Sequence, residues 1–171
     1  DLQAATMFAA ASRALKGYND DLSARALQQS KRLLKEATEL LAKQPQDTSS
    51  WGGRNNRFAD ISTYLQLYIS TGEQQYIDKY YKLLWPAMDR NVNFILLTAL
   101  NAIPHLDASY KEKLRPYVVK YKEYIENLEK DNPYGVPIGL GNWAGSGAMS
   151  SFGTTVCFAS KFFPEIIDAN N

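Results

Sequence analysis

Cysteine and histidine are nearly absent: the chain holds one of each, Cys157 and His105, in 171 residues. A lone Cys cannot close an intramolecular disulfide, and one His, one Cys and scattered carboxylates give no zinc-ligand spacing. No metal or other cofactor is expected. No apolar run approaches the roughly 20 residues of a membrane span. An excess of either charge is also lacking: 19 Lys and Arg against 18 Asp and Glu leave a net +1. That balance gives no electrostatic reason to expect nucleic acid or an anionic membrane as a partner. No stretch alternates apolar and polar residues convincingly, so strands are expected to be few or absent. There is no fixed-period repeat and no internal linker, and the length suits a single helical domain, residues 1–171, with a real core. The chain opens Asp1-Leu2-Gln3. With neither Met nor a signal-peptide pattern there, we expect a processed or excised start.

What the chain has instead is helical periodicity and aromatic side chains, eleven of them Tyr. Tyr and Trp offer an apolar face and a polar edge, which suits helix interfaces and sugar binding alike. Phe8, Ala11 and Leu15 share a face of a first helix over about 2–15, closed by Gly17. Asn19 or Asp20 caps a second to about Lys43, with Leu22, Ala26, Leu33, Leu34, Ala37, Leu40 and Leu41 at helical spacing. Pro45 to Gly53 reads as a polar loop containing Trp51. A third helix over about 55–70 carries Phe58, Ile61, Leu65 and Tyr68. Gly72 makes a tight joint to a fourth, about 74–84, with Tyr76, Ile77, Tyr80 and Leu84. A fifth, about 92–102, is nearly all apolar and is expected to be buried on most sides. A sixth runs over about 109–130, where Ser109 with Glu112 has a capping-box pattern and Pro116 should kink the helix or mark a later start. A seventh covers about 146–163 and ends before Pro164.

Between the last two lies the segment with the most distinctive composition: Asn132-Pro133-Tyr134-Gly135-Val136-Pro137, then Gly141-Asn142-Trp143-Ala144-Gly145-Ser146-Gly147. Its prolines stop the preceding helix and its glycines free the backbone, so it can place aromatic faces at the end of a bundle. Three further segments accompany it. They are Phe8-Ala9-Ala10-Ala11-Ser12-Arg13 with Tyr18-Asn19-Asp20; Arg57-Phe58-Ala59-Asp60 with Leu65-Gln66-Leu67-Tyr68 and Ser70-Thr71-Gly72-Glu73; and Trp85 with Asp89. In this order, along essentially the whole chain, they resemble the catalytic domain of glycoside hydrolase family 9, the endoglucanase and cellulase family. The resemblance implies an all-α fold: helical hairpins forming part of an (α/α)6 barrel, of which seven helices make roughly half. It also implies a β-glucan type oligo- or polysaccharide as partner and export, secreted or periplasmic, since polymers cannot enter the cell. Apolar faces left by missing hairpins would favour self-association. Another six-hairpin family, of the unsaturated glucuronyl hydrolase or glucoamylase type, is argued against only mildly by the Tyr-Gly-Val-Pro loop.

Hydrolysis of a glycosidic bond by the usual route needs two carboxyl groups. The family is similar in supplying the base from an Asp-x-x-Asp motif near the domain's start and the acid from an Asn-Glu motif near its end. Neither spacing occurs in this sequence. No catalytic residue is therefore assigned, and the chain by itself is expected to be inactive. A non-catalytic helical scaffold that binds carbohydrate or protein is the alternative.

Six residues are candidates for substrate contact. Trp143 matches the family's Trp in the stretch before a late barrel helix and could stack on a sugar or be buried to fix the loop. Ala144 stands where the family has Gly. Trp51 and Arg54 lie in or beside the polar loop, where Trp51 binds or pins the loop. Trp85 could contact sugar or cap a hairpin core, and Asp89 could accept from a sugar hydroxyl or cap a helix. Tyr134 lines a groove or rigidifies its turn. His105 reads as a surface or turn residue, Cys157 as a core thiol, and the mixed-charge run from Lys111 to Lys130 as a solvated face.

Overall fold

The computed structural model describes residues 2–43, 51–130 and 145–168; the side chains of 51–58, 145, 146 and 148 also lie outside the described set. Six α-helices make up this part: α1 (Leu2–Leu15), α2 (Asp20–Lys43), α3 (Trp51–Thr71), α4 (Gln74–Leu100), α5 (Ala108–Lys130) and α6 (Gly145–Phe162). A short 3-10 turn, Ile103–His105, precedes α5. No strand occurs among the described residues. Where the sequence carries no linker, the packing divides into two compact units, Asp1–Pro86 and Ala87–Asn171.

In the first unit two glycines set the turns between helices. Gly17 has φ +85° and Gly72 φ +70°, a left-handed geometry that side-chain-bearing residues avoid. Asn19 caps α2, its Oδ1 accepting from Leu22 N–H at 3.0 Å. The buried face of α1 is Leu2, Ala5, Ala9 and Ser12, rather than the expected Phe8, Ala11 and Leu15; Phe8 is 38% exposed. Small residues win that face because they let helix backbones approach. Hydroxyls then reach neighbouring carbonyls: Ser30 Oγ donates to Ala5 O, and Ser23 Oγ to Ser12 O, both at 2.7 Å.

Those two contacts fix an antiparallel register, and the register explains the outer leucines of α2. The 14 residues of α1 cover about 21 Å, whereas the 24 of α2 extend about 36 Å. Pairing Ser12 with Ser23 and Ala5 with Ser30 brings the start of α1 level with Leu33 and Leu34. The last turns of α2 run past it, so Leu40 and Leu41 are exposed despite their helical spacing, while Ala26, Ser30, Leu34 and Ala37 are buried. The expected stripe of α4, Tyr76, Ile77, Tyr80 and Leu84, is buried throughout. On α3, Ile61 and Leu65 are buried as expected, with Thr63 and Leu67 in addition.

α3 starts at Trp51, four residues earlier than the composition suggested. Gly52 and Gly53 cost helix propensity without forbidding it, and the N–H groups of a first turn have no intrahelical partner to lose. α4 joins the two helices expected at about 74–84 and 92–102: it continues through Pro86 and breaks at Asn91, whose φ −146° and ψ 57° are not helical, just before the second of them. Pro86 is exposed, so water can satisfy the carbonyl its missing N–H leaves free.

The second unit packs the Ala87–Leu100 part of α4, α5 and α6. α5 buries Tyr110, Leu114, Val118, Tyr121 and Ile125 as one stripe, and runs unbroken past Pro116, which faces solvent. Its cap is Asp107 rather than the expected Ser109 and Glu112. Asp107 Oδ1 accepts from Tyr110 N–H at 3.0 Å and from Ser109 Oγ at 2.6 Å, while Glu112 pairs with Arg115 at 3.1 Å. Both interactions hold the Asp107 carboxyl below the usual range, the Ser109 hydroxyl most. Tyr110 Oη donates to Ala99 O at 2.9 Å, tying α5 to α4. Phe152 of α6 tilts against Tyr121 and Tyr124 at 6.4 and 6.1 Å. The apolar 92–102 segment is buried at Val92, Ile95, Leu96, Ala99, Leu100 and Ala102, but Phe94 is 72% exposed. No described helix is long and apolar enough to cross a membrane.

Candidate functional site

Among the described residues of the first unit, a dense polar arrangement is centred on Arg13. Its Nη1 lies 3.0 Å from Gln66 O, 2.7 Å from Ser70 Oγ and 3.3 Å from Ala9 O, and its Nη2 donates to Gln66 Oε1. Ser70 Oγ in turn lies 2.9 Å from Ala9 O and 2.8 Å from Gln66 O. The planar fork of a guanidinium is what allows one residue of α1 to engage both backbone and side chains of α3. Burial lowers the Arg13 pKa from its ordinary value. A second polar contact, Thr6 Oγ1 to Thr63 Oγ1 at 2.8 Å, joins the same two helices. At the α3–α4 turn, Lys31 Nζ meets Glu73 Oε1 at 2.6 Å and lies 5.9 Å from the Tyr76 ring centroid. The pair raises Lys31 and lowers Glu73, through their hydrogen bond above all.

A cleft of about 300 Å³ in this unit is lined by Leu2 of α1, Thr38 and Leu41 of α2, Asp60 and Tyr64 of α3, and Lys79, Lys82 and Leu83 of α4. Among the described residues that line it, Asp60 is the one carboxyl. Burial among apolar walls pushes the Asp60 pKa up to about 6, against the pull of the Ile61 N–H, which donates to Oδ1 at 2.9 Å. A raised carboxyl in a cleft is a recognised marker of function. Among the described residues no second carboxyl stands beside it, whereas two-carboxylate glycoside hydrolysis requires a pair.

Trp85 is half-buried on α4 and stacks on Tyr81, one turn earlier, with ring centroids 6.3 Å apart and planes 11° from parallel. Helical i, i+4 spacing produces that stack. In the second unit Asp89 is exposed, and its Oδ1 accepts from Tyr117 Oη at 2.7 Å. Lys120 Nζ reaches the Asp89 carbonyl at 3.2 Å. Burial, then the Asp89 hydrogen bond, pushes the Tyr117 pKa up to about 12, so its hydroxyl stays a donor. Asp89 thus stands in α4 two residues before Asn91, where the backbone leaves helical geometry. Trp85 and Asp89 belong to different packing units.

The other candidates are less visible. Trp51 and Arg54 have helical backbone in α3, a correction to their loop assignment, and their side chains lie outside the described residues. Tyr134 and Trp143 lie wholly outside them. Cys157, expected in the core, is exposed. The buried stripe of α6 runs through Thr155 and Ala159 to Phe163 just past its end, and a residue two positions from Thr155 points about 200° away from it. His105 is exposed in the 3-10 turn. No group of three or more potential metal ligands occurs among the described residues.

Arg13, Asp60 and Tyr117 were not among the sequence candidates. Arg13 and Asp60 stood inside segments that carry the family resemblance, which was the available signal; the partnership of Tyr117 with Asp89, 28 residues away, left none. Comparison with protein-family models, with curated proteins and with solved structures gives no match in any of the three.

Proposed function

We propose that this chain is part of a glycoside hydrolase of the family 9 type that acts on β-linked glucans. Its hairpins would form part of an (α/α)6 barrel, and the two catalytic carboxylates would lie outside the sequence considered. The supporting observation is the Arg13 seam. Two segments that resemble the family at separate places in the sequence, one ending in Arg13 and one spanning Leu65 to Glu73, are joined through Gln66 and Ser70. The left-handed Gly17 and Gly72 turns would suit hairpins of the kind a six-hairpin ring repeats.

Substrate contact falls to Trp143 first, with Trp51, Arg54, Trp85, Asp89 and Tyr134 as further contacts. Asp89 paired to Tyr117 offers a carboxylate beside a phenol donor, a combination suited to sugar hydroxyls. Export follows from the polymeric substrate. Exposed apolar side chains such as Met7, Leu40 and Phe94 suit cover by further hairpins or by a second copy. The second reading, a non-catalytic scaffold binding carbohydrate or protein, draws on the lone carboxyl of the cleft and the missing motif pair.

The experiment is a calorimetric titration with cellohexaose of the chain and of Trp143→Ala. Loss of a sugar-stacking indole should weaken affinity about tenfold, or about 1.4 kcal/mol. Unchanged affinity would remove Trp143 from the site.

A further inference from the structure

We propose that Asp60 makes the first unit pH-responsive: protonated, its carboxyl packs among the apolar walls of the α1–α4 cleft, and its ionisation draws water in and loosens that cleft. Asp60 is half-buried, and Leu2, Leu41, Leu83 and the Tyr64 ring supply walls that cannot solvate a carboxylate. The hydrogen bond it receives is the short-range one from Ile61 N–H. The charged or titratable groups lining the cleft with it are Tyr64 of its own helix and Lys79 and Lys82 of α4. Both lysines are exposed, where water screens them. α1 and α2 contribute no charge to the cleft: Leu2, Leu41 and Thr38 are neutral, and the Thr38 hydroxyl donates to Leu34 O at 2.7 Å.

Burial raises the Asp60 pKa from 3.8 to about 6, so the folded state holds the proton more tightly than the unfolded chain. The stabilisation is therefore complete below the ordinary aspartate value. It is lost as pH rises through the window from about 4 to 6, and the loss is constant above it. Glu73 acts in the opposite direction. Lys31 holds its pKa down, so its contribution is present above the ordinary glutamate value and lost in acid. A bare stability profile mixes the two, and Asp60→Asn separates them.

The test is a carbon-detected NMR titration of the Asp60 carboxyl in the full chain, run beside Asp60→Asn from about pH 3.5 to 8. The expected midpoint lies near 6, with the methyl and ring signals of Leu41, Leu83 and Tyr64 shifting over the same window in the wild type and staying flat in Asp60→Asn. Between about pH 4 and 7.5 the folded-to-unfolded ratio of Asp60→Asn should gain about tenfold on the wild type. That is half of the shift's full value in logarithmic terms, after discounting for partial exposure. A midpoint near 4 overturns the proposal. So do cleft signals that titrate equally in both proteins.

Discussion

Arg13→Ala is expected to destabilise the first unit by about 3 kcal/mol, the size associated with losing charge-assisted hydrogen bonds and leaving acceptors unpaired. Four acceptors converge on this guanidinium: Ala9 O, Gln66 O, Gln66 Oε1 and Ser70 Oγ. Gln66 O and Ala9 O keep Ser70 Oγ as a contact, so the loss falls mainly on Gln66 Oε1 and on the α1–α3 connection. Against a typical total of about 5–15 kcal/mol, this is enough to populate open forms. Arg13→Lys should recover only part of the loss, because an ammonium cannot span both the backbone and the side chain of Gln66. Native-state hydrogen exchange of the α1 and α3 amides reads the effect directly. Protection unchanged in Arg13→Ala would show that the small-residue packing of Ala5, Ala9 and Ser30 holds the helices by itself.

Leu114→Ala should cost the second unit about 3 kcal/mol, within the range of about 2–5 for fully buried leucines. Leu114 is fully buried at the centre of the α5 stripe, between Tyr110 and Val118. Phe94→Ala, in the same unit, removes a larger side chain yet should change stability by less than about 0.5 kcal/mol, since Phe94 is 72% exposed. Urea unfolding of the two variants, followed through the amides of α5, separates them. Equal losses would mean that Phe94 is covered in solution, as self-association through that face would require.

The sequence disclosed helix type and most turn chemistry because both are local. The stripe Tyr76, Ile77, Tyr80, Leu84 and the glycines at 17 and 72 needed no tertiary information. Errors arose where a neighbour decided the outcome. Leu40 and Leu41 have the spacing of core residues, but α1 is too short to cover them. Cys157 sits in an apolar run, yet the buried arc of α6 is narrow and passes through Thr155 and Ala159. Pro116 was expected to kink its helix or mark a later start, although exposure lets α5 continue past the missing hydrogen bond. Asp107 displaced Ser109 as a cap because a carboxylate two residues ahead of Ser109 reaches the Tyr110 N–H. Among the site candidates, the stack of Trp85 on Tyr81 is readable from i, i+4 spacing. The engagement of Asp89 by Tyr117 depends on how α5 lies along α4 in the second unit, which no local pattern encodes. Asp60 was hidden for the same reason: no local pattern places Leu41 and Leu83 beside it.

The most direct test of the glucan-binding account is a proton–nitrogen NMR titration of the chain with cellohexaose, with maltohexaose as the α-linked control. Three tryptophans give three indole N–H signals, from Trp51, Trp85 and Trp143. The account predicts that cellohexaose shifts the Trp143 signal and at least one of the other two, while maltohexaose moves none. Three indole signals that stay fixed through saturating cellohexaose would contradict it.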